Sequence, residues 1–338
     1  MKKRSLFFTL ILFLTPMTFV NSEIPFNAKI YVAGHKGLVG SAIIRRLENE
    51  GYTNILIRTS KELDLRSQKA VEIFFQEEKP EYIFLAAAKV GGIKANSDYP
   101  ADFIYDNLSI EINVIHNAYK HGAKKLLFLG SSCIYPRECP QPIKEEYLLS
   151  GALEKTNDSY AVAKIAGIKM CQAYNTQHKT KFISCMPTNL YGPGDNFNLQ
   201  SSHVLPALIA KFCTAKEKQL PFVEIWGSGL PKREFLHVDD LADACLFLMD
   251  NYEGDEIVNI GCGKDISILE LSKLLHSTIN YQGGIIFDQS KPDGTPRKLL
   301  DTSKIRHMGW TPKISLEEGL KSTIDWYLEK QTVGEIKQ

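Results

Sequence analysis

Gly34-His35-Lys36-Gly37-Leu38-Val39-Gly40 is the stretch on which the fold turns. An apolar run begins at Ala28 and leads into it, and from Leu38 to Glu50 apolar residues recur at helical spacing until Gly51 ends the pattern. Strand, glycine turn and helix in that order aim backbone N–H groups at the positive end of a helix, where a pyrophosphate can come close because no Cβ intervenes. A glycine pattern alone is weak, since such turns also join strands to helices in proteins that bind nothing. Its position between strand and helix gives it weight. Residues 34 to 40 are therefore expected to cradle a dinucleotide.

Outward from the turn the alternation continues. Strands are predicted at Asn54 to Ile57, Tyr82 to Ala88, Lys125 to Leu129 and Phe182 to Met186, with helical segments at Ser67 to Glu78 and Ile104 to Tyr119. That rhythm specifies an α/β fold, a Rossmann-type doubly wound parallel sheet. After Tyr191-Gly192-Pro193-Gly194 the regularity weakens, and segments at Leu205 to Phe212 and Phe222 to Trp226 are bounded by Pro and Gly. Asp239 is expected to cap a helix running to Met249, and Glu256 to Ile260 reads as another buried strand. The expected organisation is an N-terminal extension over 1–25, a cofactor-binding domain over 26–190 to which 235–263 returns, and a smaller C-terminal substrate-binding lobe from 191–234 and 264–338.

The end of the second strand bears on cofactor choice. Enzymes that prefer NAD often place an acid there to hold the ribose hydroxyls, whereas this chain reads Ile57-Arg58-Thr59-Ser60-Lys61. Lys36 and Arg58 are candidates for the 2′-phosphate of NADP, against the plainer reading of solvated surface charges. Asp64 and Leu65 are candidates to address the adenine.

Composition sets bounds on the remaining possibilities. The 338 residues are 44% hydrophobic and 23% charged with a formal net charge of +1, enough apolar surface for one large or two smaller cores and no broad attraction for nucleic acid. The seven cysteines are scattered and contain no CxxC pair suited to zinc, so no metal is expected and a reducing compartment is. Against that, Lys2, Lys3 and Arg4 precede an apolar run from Leu6 to Leu14, with Val20 and Ser22 placed like a signal-peptidase site. Either the segment is a secretory signal or the chain starts upstream of its working origin, near Met17. The second reading is preferred, with a cytoplasmic protein and no stable membrane association unless the segment is retained.

Two further groups carry chemistry. Tyr160 and Lys164 in Ser159-Tyr160-Ala161-Val162-Ala163-Lys164 stand four residues apart on one helical face, where an ammonium would favour phenolate and ready the phenol for proton exchange. Gly130-Ser131-Ser132-Cys133 follows the strand ending at Leu129, at the carboxyl edge where open parallel sheets bind ligands. The bland alternatives are a chance Tyr/Lys spacing and serines that merely satisfy a turn.

With these residues in view, the chain resembles the extended short-chain dehydrogenase/reductases, and within them the GDP-L-fucose synthase family, from Ala28 to about Leu328. The resemblance is carried by GHKGLVG and YAVAK together with LAAAKVGGIKAN (85–96), YPADFIY (99–105), FLGSSCIYP (128–136), MPTNLYGP (186–193), WGSG (226–229), REFLHVDD (233–240) and KPDGTPRKLLD (291–301). It implies an NADP(H)-dependent epimerase and reductase that converts GDP-4-keto-6-deoxy-D-mannose to GDP-L-fucose, and a homodimer. It also implies that Ser131, Tyr160 and Lys164 serve the reduction, and that Cys133 and His203 are the acid/base pair inverting carbons 3 and 5. Leu129, Gly130, Ser131, Ser132, Lys164, Pro187, Thr188, Asn189, Leu190 and His203 would approach the cofactor, and Lys211, Trp226, Arg233 and Asp293 the substrate. Ser60 departs from the basic residue many relatives carry there. The competing readings are a nucleotide-sugar dehydratase or 4-epimerase of the same extended family, and a non-catalytic NADP-sensing module. The Ser-Cys-Ile run, with no acid beside Ser131, speaks against the first, and the Tyr160/Lys164 pair against the second.

Overall fold

A computed structural model describes residues 24–335, apart from Gln200 and Pro292. The signal-like segment from Lys2 to Ser22 lies outside the described residues. Strands run β1 (Ile30–Ala33), β2 (Ile55–Leu56), β3 (Tyr82–Leu85), β4 (Lys125–Leu129), β5 (Phe182–Pro187), β6 (Asn189–Tyr191), β7 (Phe222–Trp226), β8 (Lys232–His237), β9 (Val258–Ile260), β10 (Asp265–Ser267), β11 (Gly284–Asp288) and β12 (Arg297–Lys298). Helices are α1 (Leu38–Asn49), α2 (Gln68–Glu78), α3 (Ile93–Asp98), α4 (Pro100–Lys120), α5 (Asp158–His178), α6 (Val204–Glu217), α7 (Val238–Asn251), α8 (Ile268–Ile279), α9 (Ser303–His307) and α10 (Leu316–Thr332).

The central sheet is six-stranded in the order β2-β1-β3-β4-β5-β9, and every pairing in it is parallel. Every residue of β1 and β4 is buried, as a strand covered on both faces requires. Period-two alternation then assigns the faces. Ile30 and Val32 pack with Ala42, Ile43 and Leu47 of α1 and with Leu241, Ala244 and Leu248 of α7. Tyr31 and Ala33 pack with Val71 and Phe75 of α2, Val114 and Ala118 of α4, and Ile168 of α5. Successive strands leave β1 in opposite directions, to β2 and to β3, so the crevice between β1 and β3 is the switch point at which such sheets take ligands.

A second core gathers α6, α8 and α10 against β6, β7 and β8. β8 is the hub of the smaller sheet, antiparallel to β10 and parallel to β12 and β6. It runs directly into α7, which carries the chain back to the larger sheet. Here the sequence reading needs correcting in detail. The cap of α7 is His237, whose ring nitrogen accepts from the Asp239 N–H at 3.3 Å, while Asp239 stands inside the first turn and pairs with Arg45 at 2.5 Å. The strand expected from Glu256 begins only at Val258, where pairing with Cys185 of β5 starts.

Candidate active site

The glycine turn is built as its residues dictate. Gly34 has φ +86°, and a Cβ there would lie 2.7 Å from the Ala87 nitrogen; one at Gly40 would meet the Gly34 carbonyl. Gly37 caps α1 with no side-chain hydrogen bond, and no acid occupies the first turn, so the helix N–H groups there face outward free of any carboxylate. Leu38 and Val39 pack onto the core behind them. Exposed Lys36 and the backbone of Arg58 both approach the His35 ring, whose pKa is held below its ordinary value chiefly by burial and then by Lys36. The Arg58 guanidinium pairs with Glu78 at 2.6 Å and lies over the Phe74 ring, 5.5 Å from its centre, so it is preset rather than free. Asp64 is held by Arg66 at 2.9 Å, and the Leu65 carbonyl accepts from Asn113 at 2.9 Å. Uncapped N–H groups, a cradle that Cβ atoms would fill and two nearby cations fit a phosphorylated dinucleotide.

Across the crevice, β4 ends at Leu129, and Gly130 is tied to the next strand by its N–H donating to the Cys185 carbonyl at 2.9 Å. Ser131 Oγ accepts from the Cys133 N–H at 3.2 Å and also hydrogen-bonds the Tyr160 phenol, while Ser132 is buried. After β5 the chain crosses from the large sheet to the small one. Pro187 closes the first, Leu190 sits in β6, and Thr188 and Asn189 both donate to the Glu234 carbonyl, at 3.3 and 2.8 Å.

Tyr160 and Lys164 share the face of α5 that their spacing predicts, but the expected electrostatics is not what the structure contains. Lys164 Nζ lies 3.2 Å from the carboxylate of Glu111, both side chains only 2% exposed, and 5.9 Å from the centre of the Tyr160 ring. Burial, then the neighbouring Cys133 and Glu111 charges, raise the Tyr160 pKa above its ordinary value. Burial thus raises the proton affinity of the phenol, where the Tyr/Lys spacing alone pointed to a lowered one.

The half-buried Cys133 thiol accepts from Lys298 Nζ at 3.5 Å. Burial would raise its pKa, yet Lys298, Ser131 and Asn157 together bring it below the ordinary value. His203 caps α6 without a side-chain hydrogen bond, and burial of its ring, then the nearby Lys298, lower its pKa. Arg233, across the register from Lys298, feels the Cys133 charge. Ser131, Cys133, Tyr160, Lys298 and Arg233 thus form one cluster, with His203 reaching it through Lys298.

Farther along the small lobe, Trp226 is 61% exposed, with Lys211 and Lys291 Nζ 5.4 and 5.7 Å from an indole ring centre. Exposed indole between two cations offers a flat surface for a base beside charges for a diphosphate. Arg233 is fastened to the Thr295 carbonyl at 2.6 Å. Asp293 spends both oxygens on Ser228, accepting from its N–H at 2.9 Å and its hydroxyl at 2.6 Å, which shapes the turn at Gly227 (φ +84°).

Three residues of this region escaped the sequence reading. Glu111 could have been found as a lone acid inside the apolar run of α4. Lys291 and Lys298 lie in a stretch that was singled out, but nothing local distinguishes them from other lysines.

The model of the NAD dependent epimerase/dehydratase family matches residues 30–261. The chain is 61% identical over 303 residues to GDP-L-fucose synthase 1 of Arabidopsis thaliana, covering 90% of this chain and 94% of that one. It is 51% identical to the GDP-L-fucose synthase of Escherichia coli (strain K12), with 90% and 97% covered. Among solved structures, a GDP-L-fucose synthetase from Naegleria fowleri bound to NADP superposes with TM-score 0.86 at 30% identity, over 92% of this chain and 97% of that one. A glycine cradle at the switch point, a phenol and a thiol sharing one serine, and these matches lead to one placement: the chain belongs to the GDP-L-fucose synthases of the NAD dependent epimerase/dehydratase family.

Proposed function

We propose that the protein converts GDP-4-keto-6-deoxy-D-mannose to GDP-L-fucose, inverting the sugar at carbons 3 and 5 and reducing the ketone at carbon 4. The observation that carries this reading is the sharing of Ser131 by the Cys133 backbone and the Tyr160 phenol at the sheet edge facing the glycine turn. A ketone at carbon 4 acidifies the hydrogens on both adjacent carbons. A low-pKa thiol can take such a proton while His203 returns one from the opposite face. The Ser131 and Tyr160 hydroxyls stand ready to stabilise the enolate oxygen between those events. NADP(H) is the cofactor that residues 34–40, Lys36 and Arg58 would hold, and when bound it supplies hydride to carbon 4. Tyr160, kept protonated by its burial, then gives the alkoxide its proton, with Lys164 fixed behind it by Glu111. The base stacks on Trp226 while Lys211, Lys291 and Arg233 neutralise the diphosphate; Asp293 acts by shaping the turn beside them.

Residues 26–190 and 235–263 would form the cofactor lobe, and 191–234 with 264–338 the substrate lobe. Seven free thiols suit a cytoplasmic enzyme, and no helix among the described residues is long and apolar enough to cross a membrane. Tyr105, Ile112 and Tyr119 form an exposed apolar stripe on α4 at a spacing that keeps one face, which supports a homodimer.

Incubation with GDP-4-keto-6-deoxy-mannose and NADPH in heavy water tests the reading. GDP-L-fucose carrying deuterium at carbons 3 and 5, with matching oxidation of NADPH, is expected. Oxidation of NADPH without deuterium at either carbon would leave only a 4-reductase. Sedimentation at the mass of a monomer would remove the dimer.

A further inference from the structure

We propose that Lys298 is the positioning residue that keeps Cys133 a thiolate and sharpens His203 as its opposing acid, one ammonium serving both partners of the epimerisation. The proposal rests on the reading of those two residues given above. Its geometry is direct: Lys298 Nζ lies 3.5 Å from the Cys133 sulfur, and among the described residues no carboxylate pairs with that ammonium.

The fold fixes both ends of this contact. Cys133 stands in a short helical turn, Ser132–Ile134, whose start is held by Ser131. Lys298 ends the two-residue strand β12, in parallel register with Arg233 of β8. The backbone just beyond it is clamped by side chains. Leu299 N–H donates to Gln141 at 2.8 Å, and Leu300 N–H donates at 3.0 Å to Glu234, a fully buried carboxylate that also accepts from Gly263 at 2.6 Å. Leu299 and Asp301 also exchange backbone hydrogen bonds with Ile143, at 2.7 and 2.8 Å. A long, flexible side chain is thus launched from a rigid point beside the sulfur, which reduces the freedom it must lose to remain there.

The groups facing the sulfur are Lys298 from β12, Arg233 from β8, and Ser131, Asn157 and Tyr160 from the loop and helix around it. Burial there disfavours the anion, and Lys298 is the leading opposing influence. The same cation lowers the proton affinity of His203. In the chemical step the thiolate sulfur forms S–H as a C–H bond beside the ketone breaks. The electron pair passes into the enolate, and protonated His203 gives its proton to the opposite face of the same carbon and becomes neutral. The Lys298 charge favours the thiolate form of the sulfur and makes the charged imidazole a stronger acid, populated at lower pH.

The test is the pH dependence of Cys133 alkylation by iodoacetamide in the full chain without substrate, followed by peptide mass spectrometry. In the unaltered protein the midpoint should fall below the ordinary thiol value of about 8.5. Lys298→Met should move it up by about 1 pH unit or more and slow alkylation at neutral pH about tenfold, while Lys298→Arg, which restores the charge, should keep it low. An unmoved midpoint in Lys298→Met, with NADPH binding intact, would overturn the proposal. Buried Cys171 and Cys185 report on folding. If they become reactive in Lys298→Met, Lys298→Gln is read in its place by the same criterion. The two readings fail separately. Absence of deuterium uptake in the unaltered enzyme removes the epimerase role, whereas an unmoved alkylation midpoint removes only Lys298.

Discussion

The Lys164 ammonium lies 3.2 Å from a Glu111 carboxylate oxygen with both side chains only 2% exposed, yet neither carboxylate oxygen has a well-formed hydrogen bond. The pair crosses from α5 to α4 behind the site, and Lys164 Nζ also sits over Phe128 at 4.7 Å from the ring centre. Burial is the main influence on Glu111 and raises its pKa, with Lys164 opposing. Glu111→Gln should lower stability by about 3 kcal/mol, because it strands a buried cation. Urea unfolding followed by fluorescence measures this. Pairing Glu111→Leu with Lys164→Met should cost less than either single change, and additive losses would show that the two charges do not interact.

Tyr160→Phe removes the donor that the structure keeps protonated. NADPH oxidation should fall by about 100-fold or more, the scale of lost acid catalysis. Deuterium uptake at carbons 3 and 5 should fall much less, since Cys133 and His203 are untouched and the Ser131 hydroxyl still faces the enolate oxygen. Equal loss of both activities would mean that Ser131 cannot support the enolate without Tyr160.

Gly37 and Gly40 separate binding from folding. A Cβ at Gly37 would rest 3.4 Å from the Gly34 oxygen, and the position has ordinary extended backbone with φ −77° and ψ 167°, so Gly37→Ala should fold normally. Its methyl would stand where the pyrophosphate must approach, weakening NADPH binding about tenfold by calorimetry. Gly40→Ala forces a Cβ into the Gly34 carbonyl and should lower the melting temperature as well. Normal affinity in Gly37→Ala would displace the phosphates from this turn.

Deuterium uptake should follow a bell-shaped pH profile. Local charges and burial place the Cys133 thiol and the His203 ring each below its ordinary pKa. The base is lost as pH falls through the first value, and the charged acid is lost as pH rises through the second. The maximum therefore lies between two flanks that are both shifted to low pH. In Lys298→Met the alkaline flank should move upward. A rate independent of pH across that range would remove a titrating acid/base pair.

The central sheet was legible in the sequence because its strands are short, apolar and punctuated by glycine, and its helices carry their own period. Local physics settles such elements before any tertiary contact forms. The limits of that reading show at α7. The ring of His237 outcompetes Asp239 for the cap, and the choice depends on where β8 delivers the chain. The smaller sheet was harder still, since β12 has two residues and exists only because β8 lies beside it.

The site divides in the same way. The glycine turn, the Tyr160/Lys164 spacing and the cysteine after β4 are patterns within one stretch of chain, so the residues alone announced a dinucleotide fold carrying proton chemistry. The charge environment of those groups was decided elsewhere. Glu111 reaches Lys164 across 53 positions and Lys298 reaches Cys133 across 165, separations at which no local pattern survives. Proton affinity depends on burial and on charges a few ångströms away in space. That is why the sequence could nominate Tyr160 and Cys133, and only the packed chain shows burial raising the proton affinity of one and Lys298 lowering that of the other.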